Sequence, residues 1–187
     1  MKSTDHSKDI ISVHKEEEQR RHRGYESAQI SYTERRYGHA AMQLYSTIRT
    51  KEIYRIITKE FGMNSGISLL DIGCGTGILL SELAYKRPNI LLNGLDFSQK
   101  MLTEARLRLN VHAITANLIN GSAFDLPYAN DSFDVIVSTR FIHQYSDDLK
   151  IRILSELRRF LTLGGLAIVE FYSLVPWSMR YLLAFSH

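Results

Sequence analysis

The sequence predicts an α/β fold built on a mostly parallel sheet with helices on both faces. Short apolar runs near residues 68–71, 89–96 and 134–138 alternate with helix-like stretches of about 10 to 15 residues, the order that gives parallel strands joined by crossover helices. Glycines at 73, 75 and 77 follow the first run and lead straight into a helical pattern, which reads as strand, tight turn and helix N-terminus. With 187 residues, 44% hydrophobic and 23% charged, the chain has room for one such domain with a sizeable core plus an appendage.

The elements follow in order. Residues 1–30 have few large apolar side chains and no sustained period, so a mobile extension is expected there. Residues 31–66 read as leading helices on the lid or substrate side. Ala41, Leu44, Tyr45 and Ile48 share one helical face, and Ile53, Ile56, Ile57 and Phe61 another after Thr50, so two short helices or one bent one are expected. Gly62 and Gly66 bracket the break into the main domain at 67–187.

The first strand spans 68–71 and its helix 76–85, closed by Lys86, Arg87 and Pro88. A second strand at 89–96 ends on an acid. Ser98 caps the next helix, whose Met101, Leu102, Ala105 and Leu109 share one face. A third strand lies within 114–121, followed by a turn through Asp125 and Pro127, and 134–138 is the fourth. Asp147 and Asp148 suit a helix N-terminus, Ile153, Leu154, Leu157 and Leu161 form its buried face, and Gly164 and Gly165 end it. Residues 166–171 form a fifth strand, and 175–185 begin another helix.

Composition narrows the function classes. The net charge of +3 comes from 23 basic against 20 acidic residues, a nearly balanced surface that argues against a specific nucleic-acid partner. The mixed-sign run 14–23 reads as a solvated helix or tail. No stretch reaches the roughly 18 to 20 apolar residues of a membrane span, and residues 1–9 lack a signal-peptide core. The lone Cys74 has no partner for a disulfide and no second thiol for zinc. A cytoplasmic location is expected.

In open parallel sheets ligands sit beyond the carboxyl ends of the strands, where strand order reverses. The glycine turn belongs there, with a backbone that a ligand can approach and a helix N-terminus that favours anionic groups. Its spacing disfavours a dinucleotide site, because G-x-G-x-x-G needs a glycine where Ile78 stands. A phosphate-binding P-loop is excluded because no lysine follows the glycines until Lys86.

The run Asp71-Ile72-Gly73-Cys74-Gly75-Thr76-Gly77 resembles the class I S-adenosylmethionine (SAM)-dependent methyltransferases. So do Leu95-Asp96-Phe97-Ser98 with Met101 and Ala105, and Gly121 to Pro127. The resemblance is greatest to the small-molecule branch typified by ubiquinone and menaquinone biosynthesis. Further matches are Asp131-Ser132-Phe133-Asp134, Arg140 to Gln144, and Leu161 to Gly165, so the likeness covers about residues 45–172. It implies a Rossmann-like three-layer sandwich, SAM as cofactor, and methyl transfer to a small aromatic or lipid-like acceptor.

The resemblance also implies a part for each motif residue. Gly73, Cys74, Gly75 and Gly77 hold the methionine portion, with Asp71 fixing the turn and orienting the cofactor amine. Asp96 accepts the ribose hydroxyls, or else simply caps the helix after Ser98. Phe97 and Met101 pack against the adenine, though such side chains fill cores equally well. Asp125 accepts the exocyclic amine while the backbone at Ala123 and Phe124 reads the ring edge, and Thr139 completes the cofactor set. Arg140, His143 and Tyr145, after strand four, are the implied catalytic residues on the acceptor side. His143 either takes a proton from the acceptor or packs beneath the cofactor. Tyr37 and Tyr45 form a lid or interhelix core. No metal is expected, because strand four ends in Ser138-Thr139 without an acid. The signature of methylases acting on exocyclic amines of bases is missing at 138–141.

Family members usually continue past strand five into a helix and an antiparallel hairpin, which this chain is expected to lack. Strand five is then expected as a bare, apolar sheet edge, open to a homo- or hetero-oligomeric partner. A truncated chain is expected over the alternatives of a partner or of the tail from Leu174 onward covering that edge. Besides an active enzyme, a non-catalytic or partner-dependent SAM-binding remnant and an RNA or protein methyltransferase stay open.

Overall fold

A computed structural model describes residues 40–172 and 180–186. The expected extension at 1–30 and Tyr37 lie outside the described residues. The described part is a six-stranded sheet in the order β3-β2-β1-β4-β5-β6, with helices on both faces. The strands are β1 (Ile67–Ile72), β2 (Ile90–Asp96), β3 (Ala116–Asn120), β4 (Phe133–Ser138), β5 (Leu161–Tyr172) and β6 (Arg180–Ser186). The helices are α1 (Ala40–Phe61), α2 (Ile78–Lys86), α3 (Gln99–Val111) and α4 (Asp147–Phe160), with a 3-10 turn at Ile142–Gln144. The first five strands pair in parallel, and β6 runs antiparallel to β5.

Alternate residues of the central strands feed two separate cores. Leu69, Leu92, Val135, Val137 and Ile168 pack against α1, α2 and α3 through Ile53, Ile57, Leu80, Leu83, Leu102 and Leu109. Leu70, Ile72, Ile136, Ala167 and Val169 pack on the other face against Ile153, Leu157 and Phe160 of α4. Each fully buried aliphatic side chain contributes about 1.5 to 3 kcal/mol, so burial on both faces makes the middle of the sheet its rigid part. The chain leaves β1 toward β2 and returns through β4 on the other side. The order therefore reverses between β1 and β4, and their carboxyl ends frame a crevice.

Four expectations need correction. The leading segment is a single helix, α1, one of the two forms expected, but its buried line runs Ser46, Arg49, Thr50, Ile53, Ile57, while Leu44 and Ile48 of the expected apolar face are exposed to solvent. Gly164 and Gly165 do not end α4, which stops at Phe160. They lie inside β5, where the pairing with β4 slips between Phe133 and Val135 and Gly164 takes φ 78. Leu161 accordingly begins a strand. Residues 180–186 form strand β6 where the sequence suggested helix. The β5 edge is not bare, because β6 pairs with it from Leu166↔Ser186 to Tyr172↔Arg180. An apolar strand buried on both faces recruits the next apolar segment, and the period-2 signal of 180–186 is too short to separate from a helical one.

Candidate functional site

The glycine turn is held by the strand next to it. The Gly73 and Cys74 N–H groups both donate to the Leu95 carbonyl, at 2.8 and 3.0 Å. Gly73, Gly75 and Gly77 have φ of 76, 53 and 70, the left-handed region that side-chain-bearing residues avoid. Two of the three are also fixed by neighbours. A Cβ on Gly73 would lie 2.7 Å from the Phe141 ring, and one on Gly77 would lie 3.1 Å from the Ala105 Cβ on α3. Arg108 of α3 donates to the Thr76 carbonyl at 2.9 Å, so α3 clamps the turn from below.

Asp96 ends β2 buried, and both its oxygens accept backbone N–H groups. Oδ2 accepts from Gly75 at 2.8 Å and Oδ1 from Ser98 at 2.9 Å, which fixes the plane of the carboxylate. Ser98 caps α3 by accepting the Met101 N–H at 3.3 Å. Met101 is buried but belongs to neither core, and Phe97 is half-buried beside it. The loop after β3 is tied to the same corner, since the Asn120 side chain donates to the carbonyls of Asp96 and Phe97 at 3.1 and 2.7 Å. In that loop Ala123 and Phe124 send their side chains into the α4-side core, while Asp125 is exposed.

Asp71, near the end of β1, is 2% exposed, and its Oδ1 has no hydrogen-bond partner. Burial pushes its carboxyl up to about 7; the Arg49 charge opposes that shift and the nearby Asp96 adds to it. Burial, with the neighbouring Asp96 and Asp71 charges, pushes the Cys74 thiol well up, so it stays a neutral packing group. Beyond β4, Thr139 and Arg140 are half-buried, and Arg140 takes φ 57, an uncommon conformation for a residue with a side chain. Phe141 passes over Gly73 and meets Tyr145 edge-on at 5.1 Å, and Tyr145 meets Phe124 at 5.3 Å. His143 sits half-buried in the 3-10 turn between them.

The fold thus gathers Asp71, Gly73, Cys74, Gly75, Gly77, Asp96, Phe97, Met101, Thr139 and Arg140 at one end of the sheet. Tyr145 stands in an aromatic wall that ties the loop after β4 to the loop after β3. Several members of the site carry no motif. Arg49 and Tyr45 come from α1, Glu170 from β5, and Asn120 from the end of β3. Only Glu170 left a readable signal, as the one charged residue in the apolar run Leu166-Ala167-Ile168-Val169-Glu170-Phe171. Among the described residues no group of three His, Cys, Asp or Glu is placed to hold a metal ion.

A mostly parallel sheet with a reversal beside a glycine turn and a strand-end acid defines a Rossmann-like fold of the class I methyltransferase type. The chain belongs to the family described as "Methyltransferase domain", which it matches over residues 69–165. It is 33% identical over 122 residues to a demethylmenaquinone methyltransferase of Lactococcus lactis, covering 64% of this chain and 48% of that protein. It is 30% identical over 128 residues to a ubiquinone biosynthesis O-methyltransferase of Cereibacter sphaeroides, covering 63% and 50%. The chain spans about half the length of these curated relatives.

Among solved structures, a putative sarcosine dimethylglycine methyltransferase from Galdieria sulphuraria shares the fold with TM-score 0.63 at 18% identity, covering 69% of this chain and 48% of that one. The [4+2]-cyclase SpnF shares it with TM-score 0.56 at 24% identity, covering 64% and 44%. The shared architecture therefore does not by itself dictate methyl transfer.

Proposed function

We propose that the chain is a SAM-dependent methyltransferase domain acting on a small aromatic or lipid-like acceptor. The observation that carries this reading is the Asp71 carboxylate, buried beside the glycine turn with an oxygen that nothing in the protein satisfies. A buried acceptor of this kind is costly unless a ligand donor completes it, and the ammonium of an amino acid is such a donor. The open space at Gly75, where a Cβ would meet nothing within 4 Å, also fits a ligand lying against the turn. The names of the quinone-type relatives support the acceptor class.

When bound, SAM supplies a methyl group on a sulfonium that is also its leaving group. This chain's part is to bind, align and exclude water. Asp96, held rigid by Gly75 and Ser98, accepts the ribose hydroxyls. Phe97 and Met101 flank the adenine, and Asp125 with the Ala123 and Phe124 backbone reads its edge. Gly73, Cys74, Gly75, Gly77 and Thr139 line the methionine portion. Arg140, His143 and Tyr145 face the acceptor, with His143 taking the proton that an oxygen, nitrogen or activated carbon acceptor sheds.

Calorimetry with SAM tests the cofactor half: binding is expected, and its absence at millimolar ligand would sink the reading. Incubation with methyl-labelled SAM and a fractionated cell extract tests the acceptor half. Label is expected in the small-molecule or lipid fraction, and label confined to RNA or protein would overturn the acceptor class.

A further inference from the structure

The ladder between β2 and β3 ends at the pair Asp96↔Asn120, and beyond it the two chains part. After β2 the chain turns through Phe97 and Ser98 into α3, while β3 gives way to the loop that begins at Gly121. Strand β3 is five residues long, stands at the edge of the sheet and pairs with β2 alone among the described strands, so few rungs hold the start of that loop at the crevice. Three hydrogen bonds continue the connection past the last rung. The Gly121 N–H donates to the Asp96 carbonyl at 3.1 Å, and the Asn120 side-chain amide donates to the same carbonyl at 3.1 Å and to that of Phe97 at 2.7 Å.

The shortest of these three acts on one particular peptide group. The Phe97 carbonyl and the Ser98 N–H belong to a single planar unit, so they turn together or not at all. Asp96 Oδ1 accepts from the N–H end of that unit at 2.9 Å, and the Asn120 amide donates to its C=O end. The plane is therefore pinned between two side chains. Asp96 Oδ2 is fixed separately by the Gly75 N–H, so the setting of the carboxylate depends on the glycine turn at one oxygen and on this peptide at the other. Asn120 itself is exposed, and losing a hydrogen bond that water can replace costs a fold little. What the amide controls is the direction of the peptide.

We propose that Asn120 is a positioning residue for the cofactor's ribose: by fixing the peptide between Phe97 and Ser98 it holds the Asp96 carboxylate in the plane that receives the ribose hydroxyls. A side-chain amide suits this task because its NH2 carries two donors on one atom, enough for two successive carbonyls, whereas the carboxylate of the same shape carries none. The proposal rests on the cofactor reading above and adds to it a residue that acts through Asp96 and carries no motif of its own.

The test is calorimetry on the whole chain with two ligands, S-adenosylhomocysteine and its 2′-deoxy analogue, which lacks one of the hydroxyls assigned to Asp96. The wild type is expected to bind the ribose form about tenfold tighter, the scale of a lost charge-assisted hydrogen bond. Asn120→Ala and the isosteric Asn120→Asp each remove both donors and are expected to cut that preference about threefold or more, while thermal denaturation shows them folded. The preference is the deciding quantity, because a residue with a merely structural part would weaken both ligands alike. A preference unchanged in the two variants overturns the proposal, whatever the loss of overall affinity. If Asn120→Ala does not fold, Asn120→Asp decides by the same measure. A wild type that binds the two ligands equally also overturns it, since Asp96 then does not read the 2′-hydroxyl. Failure of both ligands to bind the wild type overturns the cofactor reading itself, a result distinct from the others.

Discussion

Asp96 holds Gly75 in place: the carboxylate at the end of β2 accepts the Gly75 N–H at 2.8 Å while its other oxygen accepts that of Ser98 at 2.9 Å. One side chain thereby sets both the glycine turn and the start of α3. The residue that would meet the ribose is thus the one that shapes the turn beneath the methionine portion.

Replacing Asp96 removes both functions. Asp96→Ala is expected to weaken SAM binding by about 1 to 3 kcal/mol through loss of charge-assisted hydrogen bonds. It is also expected to lower the stability of the ligand-free protein, since the buried Ser98 N–H and the partly buried Gly75 N–H lose their acceptor. Calorimetry and thermal denaturation read the two effects separately, and an unchanged SAM affinity would remove Asp96 from the site.

Asp71 gives the protein a pH-dependent stability of defined sign. Its carboxyl is pushed from 3.8 up to about 7, chiefly by burial. Below pH 3.8 the group is protonated both folded and unfolded. Between there and about 7 the folded state keeps a proton that the unfolded chain has released, so stability falls as pH rises. A shift of this size corresponds to about 4 kcal/mol, with the loss complete above the folded pKa. Asp71→Asn is expected to flatten that slope in urea denaturation run from pH 4 to 8. Affinity for a cationic ligand group is expected to rise over the upper part of the same window, as the carboxyl ionises. A wild-type stability that climbs from pH 4 to 7 with the slope unchanged in Asp71→Asn would show that Asp71 does not titrate this way.

The sequence made the centre of the sheet legible because two signals agreed there. The short apolar runs at 68–71 and 134–138 coincided with turn chemistry that favours glycine at 73, 75 and 77. At α3 the four residues expected to be buried, Met101, Leu102, Ala105 and Leu109, are the four that are. Legibility failed where long-range pairing decides the outcome. Gly164 and Gly165 suit a helix C-cap and a strand irregularity equally well, and only the β4 register selects the latter. Arg49 and Glu170 are 121 residues apart in sequence, and neither carries a local pattern that foretells their meeting over the ends of β1 and β5.

Arg87 fixes the entry into β1. It is 1% exposed, and its guanidinium donates to the Gly62 carbonyl at 2.6 Å, the Ser65 carbonyl at 2.9 Å and Ser65 Oγ at 2.8 Å. The side chain at the end of α2 therefore pins the connection from α1 to β1. Arg87→Met keeps most of the volume but removes three hydrogen bonds to the exposed connection at Gly62 and Ser65, with an expected loss of about 1 to 3 kcal/mol in denaturant unfolding. Because the contacts lie at the opposite ends of the strands from the glycine turn, SAM affinity is expected to stay within twofold of wild type at a temperature where the variant is folded. A stability within 0.5 kcal/mol of wild type, about the scatter of ordinary surface substitutions, would show that the connection holds without it.

Gly73 separates backbone strain from steric contact. Its φ of 76 disfavours any side chain, at a cost of about 1 kcal/mol for alanine. A Cβ there would also lie 2.7 Å from the Phe141 ring and 2.8 Å from the Phe141 Cβ. Gly73→Ala is therefore expected to cost more than the backbone term, about 3 kcal/mol in all, with a marked loss of SAM affinity as the loop after β4 is pushed off the turn. Phe141→Gly removes both contacting groups. In that background Gly73→Ala is expected to cost only the backbone part, so a double-mutant cycle should give a coupling of about 2 kcal/mol. Additive effects would mean that Phe141 swings clear of the turn at no cost, and the contact between the β1 and β4 loops would then have no part in shaping the crevice.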